Sequence, residues 1–474
     1  MSAYKGKVTS GGLTHEVNQY YYSTIVEVPG ENRTQTTKYC FLARVDPWDD
    51  PVTPENEELD PPEPELTEQY LKNVYKNIFV IKRVFPEDMR PMIRRYDWTE
   101  GTVYDYYQDN VDMLEEAEGS HDLKYHFYIK NSFDQVFKCL WNGATTDNPN
   151  GVPSINEPLF EPGYLDGKVY YGPDDGYKWY YMYTIEAQIK QKFLEDIWLP
   201  TPLANTAGFG SLVVNSGNIP VINVLNGGSG YSEESTQIII TGANTTLATA
   251  TPIIEDGVIK DIIVTNPGFG YISANVSIVS ATGTGAVLAQ AQVSPVNGHG
   301  SDPFEEFGAD HIIVTQTFEG DESGLIPDTI KYRQIGFIIN PASRSEYFDN
   351  PPTQCQKPIY TLATEAVVSA GVDSGFQSDE IVFQGQTLET ATFKATCLDF
   401  DNVNNKLRLI NIEGSPSLDR TIFGSTTKAS RTLFQIQEPD VIPFSGYITY
   451  IENREGTQRS PDGSEQIRLI VGFR

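Results

Sequence analysis

Hydrophobic and polar positions alternate in short blocks along most of the chain, and the clearest block is Tyr177 to Ile185. Gly172, Pro173 and Gly176 supply the fixed and positive φ angles of a tight turn, which Asp174 and Asp175 can cap. Nearly every residue from Tyr177 to Ile185 is aromatic, β-branched or apolar, on both faces of an extended chain. That pattern predicts a central strand covered on two sides. Earlier blocks predict strands at Tyr20 to Val28 and Tyr39 to Val45, joined by a polar hairpin from Pro29 to Lys38. Asp46 to Glu68 is rich in proline and acid and predicts an extended, solvated connection.

Periodicity then changes from two to between three and four. Thr67 is placed to cap a helix whose apolar residues Tyr70, Leu71, Val74, Tyr75 and Ile78 form one stripe, with a strand taking over near Ile78. Strands are expected at Lys124 to Ile129 and Gln135 to Leu140, followed by turns from Asn142 to Pro162. After the central strand, Ile189, Phe193, Leu194 and Ile197 share one face of a helix predicted over Ile185 to Ile197 and stopped by Pro200.

From about Asn205 the chain turns to Gly, Ser, Thr, Val and Ile, and a repeat explains the change. Val221 to Tyr231 returns as Ile262 to Tyr271, and the same offset relates Tyr231 to Tyr271 and Ile238 to Ile278. Each copy reads as strand, glycine turn, tyrosine, strand and small-residue strand, so the two together predict one compact β module. The glycine turns are not followed by Lys-Ser or Lys-Thr or by a helix, which argues against a phosphate-binding loop.

His299 to Pro303 reads as a tight turn, and Lys331 to Pro341 resumes the aromatic-aliphatic style of the first 200 residues. A second excursion, about Tyr360 to Pro443, shows strands at Glu380 to Phe383, Thr392 to Phe400 and Lys406 to Ile412. Its Asp401 to Asn405 turn has oxygen ligands like a calcium loop but lacks that loop's glycine and distal glutamate, and a polar hairpin is the expectation. The chain closes on strands at Gly446 to Arg454 and Gln466 to Phe473, read as a hairpin about Arg459 to Gly463 that completes the main sheet.

The fold class expected is mainly β: a multi-domain, β-sandwich-like main domain with a few short helices and two inserted β modules. Its segments are 1–204, the first part of the main domain; 205–295, the two-copy module; 296–359, the return; 360–440, the second module; and 441–474, the closing hairpin. Length supports this division, since 474 residues suggest about three domains. So does composition, for 39 Gly, 30 Pro, 27 Tyr and 23 Phe describe many short strands and turns.

Charge removes whole function classes. A net charge of −30 repels phosphate backbones and anionic membranes, so neither nucleic acid nor membrane is expected as a partner. Arg94 and Arg95, beside aromatics and Asp97, are therefore read as forming ion pairs within the protein or between subunits. Cys40, Cys139, Cys355 and Cys397 are widely spaced and form no metal-ligand pattern, so four buried thiols are expected. The start of the chain has no apolar signal-peptide core and no run of eighteen apolar residues occurs, which suggests folding in a reducing cytoplasm.

Catalytic motifs are scarce. Neither Gly-x-Ser-x-Gly nor His-Glu-x-x-His occurs, and His121 and His126 are not four apart. Asp174 with Asp175, or Glu305 with Glu306, could supply the two carboxylates of a glycosidase, but 64 acids generate such neighbours by chance. No catalytic, cofactor-binding or metal-binding residue is assigned.

Several motifs together carry a resemblance. They are Ala43-Arg44-Val45-Asp46-Pro47-Trp48, Arg94-Arg95-Tyr96-Asp97-Trp98, Asp174 to Trp179, Tyr332 to Pro341, Gly446 to Arg454 and Ser464-Glu465-Gln466-Ile467. In order and spacing the chain resembles the gene-product-eight family of baseplate wedge subunits from T-even-type contractile phage tails. The resemblance covers about residues 1–200, 300–350 and 441–474 and departs from shorter members in the two excursions. It implies a virion structural protein of the tail baseplate, assembled in the bacterial host cytoplasm. It also implies that the chain forms a homodimer and binds other wedge subunits, without active site or cofactor. The alternative is a carbohydrate-binding or carbohydrate-cleaving tail component, suggested by the aromatics, the acids and the repeat.

Overall fold

The structure is a computed structural model and describes residues 5–8, 36–48, 60–118, 120, 122–161, 169–202, 217–284, 287–295, 298–322, 324–327, 330–344, 354–460 and 463–472. Strands are numbered in chain order. The protein is mainly β, built from several sheets and a small barrel with few short helices. Two compact units are formed, one by 1–89 with 312–474, the other by 90–311. The expected strand Tyr20–Val28 and the 29–35 part of its hairpin lie outside the described residues.

The first unit is organised on a six-stranded antiparallel sheet. Its strands are β1 (Lys5–Val8), β2 (Lys38–Ala43), β3 (Ile78–Arg83), β17 (Lys331–Ile339), β18 (Ile359–Thr361) and β25 (Tyr447–Gln458). They lie in the order β1-β25-β17-β2-β3-β18. Helix α1 (Glu68–Asn77) starts where expected: the Thr67 hydroxyl accepts the Tyr70 N–H at 3.2 Å, and the chain turns extended at Ile78. Its stripe packs on a core of Tyr39, Phe41, Ile81, Ile338 and Ile451. Gly336 in β17 faces Phe41 and Ile451 in register. A Cβ there would lie 2.5 Å from the Phe41 ring and closer still to the Tyr450 carbonyl oxygen, so the crossing of β2, β17 and β25 admits only glycine.

Two strands of this unit correct the expected closing hairpin. β25 joins the six-stranded sheet, but β26 (Ser464–Gly472) pairs with β16 (His311–Glu319) instead. Alternation of side chains sets which face of a strand is apolar and does not select its neighbour. Within the unit, β19 (Thr364–Val368), β20 (Ile381–Gln384), β21 (Phe393–Asp401), β22 (Lys406–Gly414), β23 (Thr421–Gly424) and β24 (Ser430–Gln437) close a barrel in the order β19-β22-β21-β20-β23-β24. Three of its strands were expected. The Asp401 to Asn405 turn is a polar hairpin: the Asp401 carboxylate accepts the Val403 and Asn404 N–H groups at 2.9 and 3.0 Å.

The second unit contains β4 (Met89–Arg94), β5 (Tyr128–Lys130), β6 (Gln135–Asn142), β7 (Val169–Tyr171), β8 (Tyr177–Thr184) and β9 (Trp198–Pro200). β8 is central in a sheet ordered β5-β6-β8-β7, as its sequence predicts, with Tyr177 and Trp179 fully enclosed. The expected strand from Lys124 is shorter, because the His126 N–H is taken by the Asp105 carboxylate at 2.8 Å and pairing begins only at Tyr128. Helix α2 (Ala187–Phe193) is also shorter than expected. Leu194 is already extended, Ile197 is 57% exposed, and Trp198 to Pro200 pair with β4.

The repeat folds as β10 (Ile222–Asn226), β11 (Thr236–Thr241), β12 (Thr249–Glu255), β13 (Val258–Asn266), β14 (Asn275–Ser280) and β15 (Leu288–Ala291). Four of these form a sheet, β12-β13-β10-β15, and β11 with β14 forms a separate ribbon. Equivalent residues meet each other, since Ile222 pairs with Ile262 and Ile238 with Ile278. The turns exchange bonds in the same way. Tyr231 donates to Gly257 and Tyr271 to Gly217, while Ile259 donates to Gly227 and Ile219 to Pro267. The two copies are thus related by a local half-turn and share one core around Ile222, Ile262 and Tyr271.

Candidate functional site

Of the acid pairs suggested by sequence, Asp174, Asp175 and Glu306 are engaged in structure, and the Glu305 side chain lies outside the described residues. Asp175 is buried, and its carboxylate accepts the N–H groups of Tyr177, Ile155 and Asn156 at 3.0, 2.9 and 3.1 Å, fixing the turn before β8. Asp174 is exposed and receives the Asn156 side-chain amide at 3.2 Å. Glu306, near the end of the one-turn helix α3 (Pro303–Glu306), points inward.

There it joins a cluster that sequence reading missed. Lys138 on β6 lies 3.1 Å from the Glu306 carboxylate and 3.3 Å from the His299 Nδ1, with its ammonium 3.8 Å from the centre of the Tyr107 ring. Lys138 is 1% exposed and His299 5%. Burial, then the Lys138 charge, pushes the His299 pKa down to about 4, so at neutral pH the imidazole is uncharged. Burial also lowers the Lys138 pKa, while His299 and Lys138 hold the Glu306 carboxyl below its ordinary value against the opposing effect of its own desolvation. A second Glu306 oxygen accepts the Gly300 N–H at 2.6 Å. Closed from solvent, this group can fasten the 298–306 segment onto β6, but it presents no surface to a substrate. No periodic signal marks it, because Lys138 and Glu306 are 168 residues apart.

Buried polar groups also seat the repeat module on the β5–β8 sheet. Lys178 donates to the Ile222 carbonyl at 2.8 Å and to the Asp261 carboxylate at 2.7 Å. Asn223 donates to Leu140 at 3.1 Å, and Gln292 donates to Tyr107 at 2.7 Å. Each of the three side chains donates to a backbone carbonyl of a neighbouring element.

In the first unit a cleft of about 310 Å³ is lined by Tyr75, Ile78, Leu362, Leu409, Val441 and Phe444 among others. Phe444 and Asn411, both on this cleft, have positive φ values of 61° and 49°. Phe444 is 51% exposed and leans on Tyr75 at 5.7 Å.

The motifs that carry the resemblance fall into packing positions. In the first unit, Arg44 pairs with Asp46 at 2.6 Å, the Trp48 indole donates to the Arg454 carbonyl at 2.7 Å, and Arg333 donates to Val45 at 3.1 Å. In the second, Arg95 pairs with Asp97 at 2.8 Å, as expected of it, the Arg94 guanidinium lies 4.2 Å from the centre of the Trp198 ring, and the Trp98 indole donates to the Ser154 hydroxyl at 3.1 Å. Trp98 and Trp179 share one core cluster. All four cysteines are buried free thiols, as expected, and burial raises the Cys40 pKa to about 12.

Among the described residues, no three His, Cys, Asp or Glu side chains gather as around a metal ion. No helix of those residues is long and apolar enough to cross a membrane. No family model matches the chain, and no curated protein matches its sequence.

Proposed function

We propose that the chain is a structural subunit of the baseplate wedge of a contractile phage tail, acting through contacts with other wedge subunits and with a second copy of itself. One observation carries the reading: motifs dispersed from Ala43 to Arg454 converge on cores and sheet crossings, where they join distant segments. Residues spent on holding long-range crossings serve a scaffold. The buried Lys138, His299 and Glu306 cluster fits the same role, since it fastens a loop out of reach of any ligand.

Purified tails provide the test. Quantitative mass spectrometry should find the chain in assembled tail particles at a fixed ratio to the other baseplate proteins, and electron microscopy of antibody-labelled particles should place it at the baseplate. Its absence from tails would sink the reading. Release of reducing ends from host polysaccharide by the purified chain would favour a carbohydrate-cleaving component instead.

A further inference from the structure

The Lys138, His299 and Glu306 cluster places an amine, a carboxyl and a proton acceptor within reach of one another. Lys138 Nζ lies 3.1 Å from Glu306 Oε2 and 3.3 Å from His299 Nδ1, and that nitrogen lies 3.4 Å from the same carboxylate oxygen. The other oxygen, Oε1, accepts the Gly300 N–H at 2.6 Å. All three side chains are enclosed, and the rings of Tyr107, Phe127 and Tyr180 stand around them. Facing an ammonium donor, Nδ1 is the bare nitrogen of the neutral imidazole and can take up a proton. Lys178, also buried, differs in this respect. It meets Asp261 at 2.7 Å, but its other bond goes to the Ile222 carbonyl, which takes no proton at neutral pH.

We infer that Lys138 and Glu306 condense within the folded chain into an amide, a covalent cross-link between β6 and α3. The new bond joins Lys138 Nζ to Glu306 Cδ, and the bond from Cδ to Oε2 breaks. Of the three ammonium protons, one stays on the amide nitrogen and two leave with Oε2 as water, one passing directly and one through His299 Nδ1. The ammonium and carboxylate charges cancel, and no oxidant, reductant or further reactant is consumed. In the tetrahedral intermediate negative charge falls on Oε1, where the Gly300 N–H already points. Burial eases formation of the uncharged amine, since it lowers the Lys138 pKa. Holding the amine against the carboxyl replaces an encounter between molecules, an advantage worth as much as about 10⁵ M of free reactant in well-oriented cases. The ion pair is the state from which the bond forms. The cross-link goes beyond the proposed scaffold role and does not depend on it.

Intact mass spectrometry under denaturing conditions tests this on the full chain of 52.9 kDa, as purified and after prolonged incubation at neutral pH. The wild type should be lighter than its sequence mass by one molecule of water. Trypsin should cut after Lys178 but not after Lys138, and should release one branched peptide that joins Lys138 to Glu306. Lys138→Arg, which keeps the charge but has no reactive amine, should retain the full mass. His299→Gln should lose water at least about tenfold more slowly, because proton transfer then lacks its carrier; an equal rate would overturn the part given to the histidine. The wild-type mass needs no variant to fold. A wild type that keeps its full sequence mass after incubation overturns the cross-link, and so does a water loss that maps to any other residue, such as an aspartyl imide.

Discussion

Replacing His299 with Gln should remove an acid-sensitive part of the protein's stability. Burial and the neighbouring Lys138 charge lower the His299 pKa from 6.5 to about 4 in the folded protein. The unfolded chain therefore takes up the proton first, so the stability linked to this group is complete above pH 6.5 and drains as pH falls toward 4. The full difference between the two pKa values corresponds to about 3 kcal/mol, of which about 2 kcal/mol is lost between pH 6.5 and 4.5. Glu306, whose pKa is lowered, contributes stability above its unfolded value near 4.5 and loses it only below that, so the higher window separates the two groups. His311, also lowered to about 4 by burial and by Arg94, drains in the same window and stays in the variant as a residual slope. Urea denaturation of both proteins at half-unit steps from pH 7.5 to 4.5 would measure the slopes, and an NMR titration of the imidazole would locate the pKa itself. Equal slopes in wild type and His299→Gln, or a native His299 that titrates near 6.5, would refute the reasoning.

Three further outcomes follow from the packing. Gly336→Ala should destabilise the first unit by about 3 kcal/mol, since backbone and ring atoms occupy the space of the new methyl group. Calorimetry should show a melting temperature lowered by roughly 6–12 °C, and an unchanged melt would mean that β25 does not cross Gly336 as described. Thr67→Ala should cost about 1 kcal/mol through loss of the α1 cap, measured by urea denaturation, with no loss if the helix is capped otherwise. Lys178→Met should leave Asp261 and the Ile222 carbonyl without their shared partner at a cost of about 3 kcal/mol. Faster amide exchange in β10 and β13 would report that loosening, and unchanged exchange there would show that the module is held by other contacts.

Local rules made much of this fold legible. Thr67 followed by a three-to-four spaced apolar stripe specifies α1, because capping and amphipathicity act within a few turns. Gly172 to Gly176 specifies the turn before β8 for the same reason: the Asp175 side chain bonds the backbone two residues on. The offset between Tyr231 and Tyr271 identifies two like units. It does not show that their like strands pair with each other, which is a matter of how the units meet.

What sequence alone determined, then, was element type and the presence of a repeat, since both arise from neighbours along the chain. Tertiary structure decided the partners. β25 and β26 have the same strand character, yet they enter different sheets, because an apolar face can be covered by any sheet of matching shape. Barrel closure from Thr364 to Gln437 joins short strands whose own patterns are weak, and only mutual pairing makes them strands. The Lys138, His299 and Glu306 cluster lay furthest from sequence reading. Its members come from a strand, a loop and a one-turn helix, and what makes each side chain notable is a burial that only the completed fold creates.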